Sequence, residues 1–206
     1  MCCRYYVDLS PELRPIIEEA NRSPLREKMV AALGAPFVDS GEVYPGQIAA
    51  VIAPSRSGGR AAFPMFWGYQ VPGLRAPVLN ARVETASEKK TFQESWASRR
   101  CVIPASWYFE WEHIPLPNGS KKAGRKFAIQ PKGLEMTFLA GLYRIENGFP
   151  SFVVLTREPG ESVRFIHDRM PLILPEEAVR RWIDPRTDPG ALLDLALTDM
   201  AYEIVS

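Results

Sequence analysis

One processing step separates Cys2 from the N-terminus of this chain, which opens Met1-Cys2-Cys3-Arg4. Removal of Met1 ahead of so small a residue is ordinary, and it leaves an α-amine and a thiol on one residue. Their reference pKa values, about 7.7–8.0 and about 8.5, keep both partly nucleophilic near neutral pH. The amine condenses with an aldehyde to a Schiff base, and the neighbouring thiolate closes onto that carbon as a five-membered thiazolidine. No internal cysteine can do this, nor can Cys2 while Met1 is attached. Taken alone, a second-position cysteine is more often accidental than chemical.

The segment Trp107-Tyr108-Phe109-Glu110-Trp111 surrounds one carboxylate with four aromatics. Period-2 alternation puts Trp107, Phe109 and Trp111 on one face of a strand, and Tyr108, Glu110 and Glu112 on the other. Desolvation raises a carboxylate pKa, and a Glu poised nearer neutrality suits general acid–base work. The plainer alternative is a half-exposed strand with Glu110 on its wet face. His167 lies in Phe165-Ile166-His167-Asp168-Arg169-Met170-Pro171, at an element boundary where it can give or take a proton. A structural histidine is the alternative there, and His113 reads as a loop residue. Within Pro77-Val78-Leu79-Asn80-Ala81-Arg82-Val83-Glu84-Thr85, Asn80 can hold a carbonyl or oxyanion and Arg82 can meet a phosphate. The same pattern fits a strand edge with Arg82 near Glu84. Phe66-Trp67-Gly68-Tyr69 offers aromatics able to stack on unpaired bases, with a core Trp67 as the alternative.

These groups must be placed by a fold made mainly of strands. Apolar or alternating runs bounded by Gly, Pro and Asn occur at 48–52, 101–103, 107–112, 127–130, 136–143 and 151–156, and residues 1–8 read as a strand. Ser23 caps a predicted helix that starts at Pro24 and sets Leu25, Met29, Ala32 and Leu33 on one face. Pro15 weakens any helix over 11–22. A short helix is predicted near 91–97, and two more open at Pro175-Glu176-Glu177 and after Asp188-Pro189. Pro171–Leu174 reads as an apolar strand. The pattern predicts an α+β fold: a curled, mostly antiparallel sheet or open barrel with peripheral helices, in one domain over residues 1–206. The Lys and Arg residues of 120–126 read as a solvated basic turn.

Composition narrows the function classes. With 46% hydrophobic and 24% charged residues the chain suits a soluble globular domain. There is no run of about 18 apolar residues and no basic-then-apolar leader, so neither a membrane span nor a secretory signal is expected. Three cysteines, two of them adjacent, make no disulfide framework, and two histidines are too few for a His-rich metal site. No metal or cofactor is expected, and the reducing cytoplasm is the expected compartment. A net charge of +1 argues against broad coating of nucleic acid but permits a local basic groove for a short single strand.

Singly weak, these segments are specific together. Met1-Cys2-Cys3-Arg4, Pro45-Gly46, Trp67-Gly68, Asn80-Ala81-Arg82-Val83-Glu84-Thr85, Phe109-Glu110-Trp111 and Ile166-His167-Asp168-Arg169-Met170-Pro171 occur in the order and rough spacing of one family. From residue 2 to about residue 183 the chain resembles the SOS response-associated peptidase (SRAP) family, whose members crosslink to abasic sites in single-stranded DNA. The resemblance implies a curled antiparallel sheet and catalytic roles for Cys2, Asn80, Glu110 and His167. Cys2 would form the thiazolidine with the open-chain abasic sugar, and Glu110 would handle proton transfers at the amine. Asn80 would bond the N-terminal residue or the sugar, and His167 would assist sugar ring opening. It also implies DNA contacts by Arg4, Trp67, Arg82, Lys90 and Arg169.

The expected partner is single-stranded DNA containing abasic sites, met by a monomer that is nucleoid-associated when bound. Cys3 stands where many members carry Gly, and its thiol can compete or oxidise. The chain stops at Ser206 without the extension of longer members. Two other readings use the same residues. One is a cysteine peptidase with Cys2 as nucleophile and His167 as base, acting either to release Met1 or on another substrate. The other is a single-strand binding module without chemistry.

Overall fold

β-Branched, aromatic and small apolar residues in short runs, cut by Gly, Pro and Asn, favour many short strands over long helices. The computed structural model, which describes residues 3–56 and 58–205, is built mainly of such strands. In chain order they are β1 (Arg4–Val7), β2 (Gly41–Val43), β3 (Ile48–Pro54), β4 (Arg60–Trp67), β5 (Asn80–Arg82), β6 (Arg100–Ala105) and β7 (Trp107–Pro115). There follow β8 (Lys121–Pro131), β9 (Thr137–Glu146), β10 (Phe149–Arg157), β11 (Met170–Pro171), β12 (Ile173–Leu174) and β13 (Met200–Val205). The helices are α1 (Arg14–Asn21), α2 (Pro24–Leu33), α3 (Val83–Ala86), α4 (Gln93–Ser98) and α5 (Glu176–Ile183), with a 3₁₀ turn at Gly190–Leu195.

Two sheets form. The first is antiparallel, in the order β13-β8-β7-β1-β2. In the second, β10 pairs with β4 at one edge and with β9 at the other, while β9, β6, β3 and β4 pair in succession. That ring closes, so the expected curled sheet is a small barrel flanked by helices. β4 and β5 run parallel to β10, against the mostly antiparallel trend.

Alternation along the barrel strands divides the core. Ala49, Val51, Cys101, Ile103, Leu139, Phe152 and Val154 pack with Tyr5, Val7, Tyr108, Phe127 and Ile129 of the first sheet. Ile52, Val102, Ala140, Leu142, Val153 and Leu155 pack with Val179, Trp182 and Ile183 of α5. Buried among the helix ends is Arg100, 1% exposed. Its Nε donates to Trp182 O (2.7 Å), Nη1 to Trp96 O and Ala97 O (2.7 and 2.9 Å), and Nη2 to Asp184 O and Thr187 O (2.5 and 2.9 Å). One guanidinium thereby satisfies the orphan carbonyls that end α4 and α5, where the negative helix ends favour a cation.

Three local expectations change. Pro15 lies in the first turn of α1, where its missing N–H has no intrahelical partner to lose, so the helix forms. α2 begins as expected, the Ser23 hydroxyl accepting from Leu25 N–H at 3.3 Å, and ends at Gly34 with φ 62°. Only Met29 of its expected apolar face is buried, and Leu33 is 38% exposed. The basic segment 120–126 is mostly the rising half of β8, paired with β7, rather than a turn.

A long loop joins β10 to β11 and carries His167. Gly160 anchors its start: its N–H contacts Met170 Sδ at 3.2 Å, and an added Cβ would lie 2.1 Å from Thr198 O. Gly160→Ala is therefore expected to destabilise the fold by about 1–3 kcal/mol, because backbone must move aside. Urea melts check this; an unchanged midpoint would mean the loop yields freely.

Candidate active site

β1 is short and sits between β2 and β7, with Arg4 opposite Phe109 and Tyr5 opposite Tyr108. Residues 4–6 are thereby laid along the strand that carries Glu110. Cys3 is half-buried there, and its thiol is pushed up, first by burial and then by the Glu110 carboxylate. A protonated thiol is a poor nucleophile, so Cys3 competes little near neutrality. Cys2 lies outside the described residues, one peptide bond from Cys3.

Glu110 is 4% exposed, and burial raises its carboxyl above the usual range. Its Oε1 accepts from Trp111 N–H at 3.3 Å and lies 4.0 Å from His167 Nε2. Arg169 N–H donates to His167 Nδ1 at 2.9 Å. The proton of a neutral His167 is therefore on Nε2, the nitrogen that faces Glu110. His167 is 5% exposed and its pKa is pushed down to about 4, by burial and by His113 beside it. A neutral N–H donor next to a carboxyl that holds its proton more readily than usual suits proton transfer to and from one bound group.

The raised Glu110 pKa fixes a sign. The unfolded chain ionises this carboxyl first, so burying it costs stability increasingly as pH rises above the ordinary carboxylate value. Glu110→Gln is expected to raise the melting temperature at pH 7, and the gain should vanish below about pH 4. Paired melts at the two pH values check it; a variant less stable at pH 7 would contradict it.

Asn80 opens β5 and pairs with Val154 of β10. It is held through Leu79, whose carbonyl accepts from Val154 N–H at 3.0 Å and from Trp67 Nε1 at 3.2 Å. Trp67 is 0% exposed, its ring 5.2 Å from Tyr5 and 5.8 Å from Phe152. The stacking role expected for Trp67 is corrected: β4 turns it into the core, where it positions β5, and Tyr69 is equally buried. A half-exposed aromatic at the site is Trp111, whose ring centroid lies 5.0 Å from the Arg4 guanidinium carbon. Arg4 also lies over Tyr44 at 4.6 Å and 3.6 Å from Glu42.

The remaining basic residues divide. Arg82 and Lys90 are exposed. Arg169 is turned inward, with both terminal nitrogens 2.8 Å from Glu84 oxygens and Nη2 also 2.7 Å from Thr156 O. Its fork is occupied by a carboxylate, so in this structure it braces the His167 loop against α3 and β10 instead of presenting charge to a ligand.

Strict alternation would have kept Glu112 on the face of Glu110. A register shift at Trp111/His113 ends the alternation, and Glu112 pairs with Arg125 at 3.1 Å. His113, expected in a loop, belongs to β7. Its N–H donates to Ile166 O at 2.9 Å, and its ring centroid lies 3.8 Å from that of His167. Gly124 on the facing strand was the available signal, since a Cβ there would meet Ile114 Cδ1 at 2.8 Å and Glu112 Oε2 at 2.9 Å. Asp168 and Lys121 complete the surroundings: Asp168 Oδ1 is 2.8 Å from His167 Nδ1, and Lys121 Nζ is 3.0 Å from Asp168 Oδ2.

With this geometry in view, relatives become informative. Residues 1–205 match the family described as SOS response associated peptidase (SRAP). The chain belongs to the SRAP family. Among SRAP proteins it is 37% identical to the abasic site processing protein YoqW of Bacillus subtilis (strain 168) over 124 residues, 57% of this chain and 53% of that one. It is 36% identical to the abasic site processing protein YedK of Escherichia coli (strain K12) over 126 residues, 58% of this chain and 54% of that one. The match therefore spans about half the length of these relatives. A phage-related protein from Bordetella bronchiseptica shares the fold, with a TM-score of 0.72 and 22% identity over 99% of this chain and 94% of that one. Among the described residues no helix is long and apolar enough to cross a membrane.

Proposed function

We propose that this SRAP protein captures abasic sites in single-stranded DNA through Cys2, once Met1 is gone. The observation that carries the reading is the buried Glu110–His167 pair, 4.0 Å apart and beside the start of β1. One peptide bond before the half-buried Cys3 comes residue 2, whose α-amine and thiol are the groups such an acid–base pair would serve. The names of the SRAP relatives supply the aldehyde, the open-chain sugar of an abasic nucleotide.

The steps balance as follows. The Cys2 amine adds to the aldehyde carbon and water leaves, giving a Schiff base. The thiol then adds across the C=N bond: sulfur bonds to carbon, and the thiol proton ends on nitrogen. As the sugar opens, the C1 hydroxyl loses a proton to Glu110 and the ring oxygen gains one in return, while neutral His167 hydrogen-bonds that oxygen through Nε2–H. Glu110 takes a proton from the incoming ammonium and returns one to the departing hydroxyl. Asn80 bonds the sugar or the N-terminal residue. Arg4, Arg82 and Lys90 meet phosphates, and Trp111 offers the face on which a flanking base stacks. Arg169 acts by holding the His167 loop.

A denaturing gel tests this with three otherwise identical oligonucleotides. A strand with a natural abasic site is expected to give a denaturation-resistant adduct. A strand with a tetrahydrofuran analogue, which cannot open to an aldehyde, and an intact strand are expected to give none. Equal, salt-sensitive binding of all three with no adduct would instead indicate a plain single-strand binding module. Self-release of Met1 is read separately: failure of Glu110→Gln or His167→Ala to lose Met1 in a cell that trims other Met-Cys proteins would add the peptidase reaction.

A further inference from the structure

His113 has no role in the scheme above, yet its ring packs tilted at 47° against that of His167, and Asp168 completes a three-residue group. One donor atom from each of His113, His167 and Asp168 lies within 4.8 Å of the other two. We propose that these three residues bind a divalent transition-metal ion of the Zn²⁺ class, and that its binding withdraws His167 from the capture reaction. The inhibitory half rests on the acid–base reading of His167; the site itself does not.

Three observations support a cation here. His113 Nδ1 is buried and has no hydrogen-bond partner in the protein. His167 Nδ1 lies 2.8 Å from Asp168 Oδ1, and its one lone pair accepts from Arg169 N–H at 2.9 Å, a hydrogen bond that a metal on this nitrogen would replace. The donor set, two imidazoles and one carboxylate, matches catalytic and regulatory Zn²⁺ sites, which leave a fourth position open. Zn²⁺ takes nitrogen at about 2.0–2.1 Å and oxygen at about 2.0–2.2 Å, which puts tetrahedral donors roughly 3.4 Å apart. Side-chain rotations of about an ångström on that basis close the group.

The approach is open, because the Asp168 side chain is 61% exposed. The competitor at the carboxylate is Lys121, paired with Asp168 at 3.0 Å with its own side chain 47% exposed. Exposed pairs of this kind contribute only about 0–1 kcal/mol, far less than two imidazole–metal bonds. His113 is brought to this place by the register shift in β7, so the site is a product of the bulge and not of a sequence motif.

Titration with Co²⁺ alone, without DNA, reads the site independently of any capture chemistry. The intact protein is expected to bind one equivalent with the visible d–d bands of a nitrogen–oxygen tetrahedral site. His113→Gln and the surface change Asp168→Asn are each expected to weaken binding more than about tenfold. Binding unaffected by either change, or a spectrum with a thiolate charge-transfer band that disappears in Cys3→Ser, would overturn the site. In the adduct assay, Zn²⁺ is expected to slow capture by the native protein and to slow it far less in His113→Gln. Equal slowing of both would overturn the inhibitory role while leaving the cobalt result standing.

Discussion

Cys2→Ala is expected to leave no denaturation-resistant adduct with an abasic strand, while folding and non-covalent DNA binding persist. The amine survives in this variant and can still form a Schiff base, but that product hydrolyses, and no thiol remains to close the ring. Borohydride should therefore trap a Schiff base in Cys2→Ala where no stable adduct is seen. A stable adduct without borohydride would show that sulfur is not needed. Glu110→Gln keeps the thiol and the shape of the site and removes only the titrating oxygen. General acid–base groups contribute about 10²–10⁴-fold, so capture should slow by that order without being lost. Single-turnover adduct formation separates the two variants: one has no end point, the other reaches the same end point late. An unchanged rate in Glu110→Gln would leave His167 or solvent to carry the protons.

Arg100→Met is expected to be the most damaging single change away from the site. Five carbonyl oxygens, at the ends of α4 and α5 and in the turn that follows α5, accept from one guanidinium that is 1% exposed. Methionine fills part of the volume and donates nothing. Buried acceptors left unmade cost about 1–3 kcal/mol each, so even with partial rescue by water the loss should reach at least about 3 kcal/mol. For a domain of this size that corresponds to a fall of about 6–12 °C in melting temperature. Arg100→Lys keeps the charge with three donors and should recover only part of it. A melting temperature within about a degree of the native protein for Arg100→Met would mean that those carbonyls are satisfied without it.

Why sequence reading succeeded at some places and not others has physical reasons. Strands at 101–103, 107–112 and 151–156 were legible because they are short apolar or aromatic runs bounded by turn formers, the first and last buried along their whole length. The curled sheet or open barrel was expected, but its closure was not, because closure depends on β10 pairing with β4 and β9 at once, a long-range fact that no local run encodes. β4 escaped notice because Pro64 and alanines interrupt its pattern. Glu110 and His167 stood out as odd residues among apolar neighbours, and the fold brings them to 4.0 Å. Spacing alone favoured a core Trp67 and the resemblance set it at the bound strand; its burial depends on what packs against β4, here Tyr5 and Phe152. Arg169 looked like a phosphate contact because its partner, Glu84, is 85 residues away. His113 was set apart from His167 because a bulge, invisible in an alternating pattern, turns the strand between Glu110 and the hairpin.

The most direct test of the central claim is intact mass spectrometry of the purified protein, before and after incubation with a single-stranded oligonucleotide carrying one abasic site. The expected result is a protein lacking Met1 that gains the mass of the oligonucleotide less one water. A protein that has lost Met1 and remains at its own mass after incubation would contradict covalent capture through Cys2.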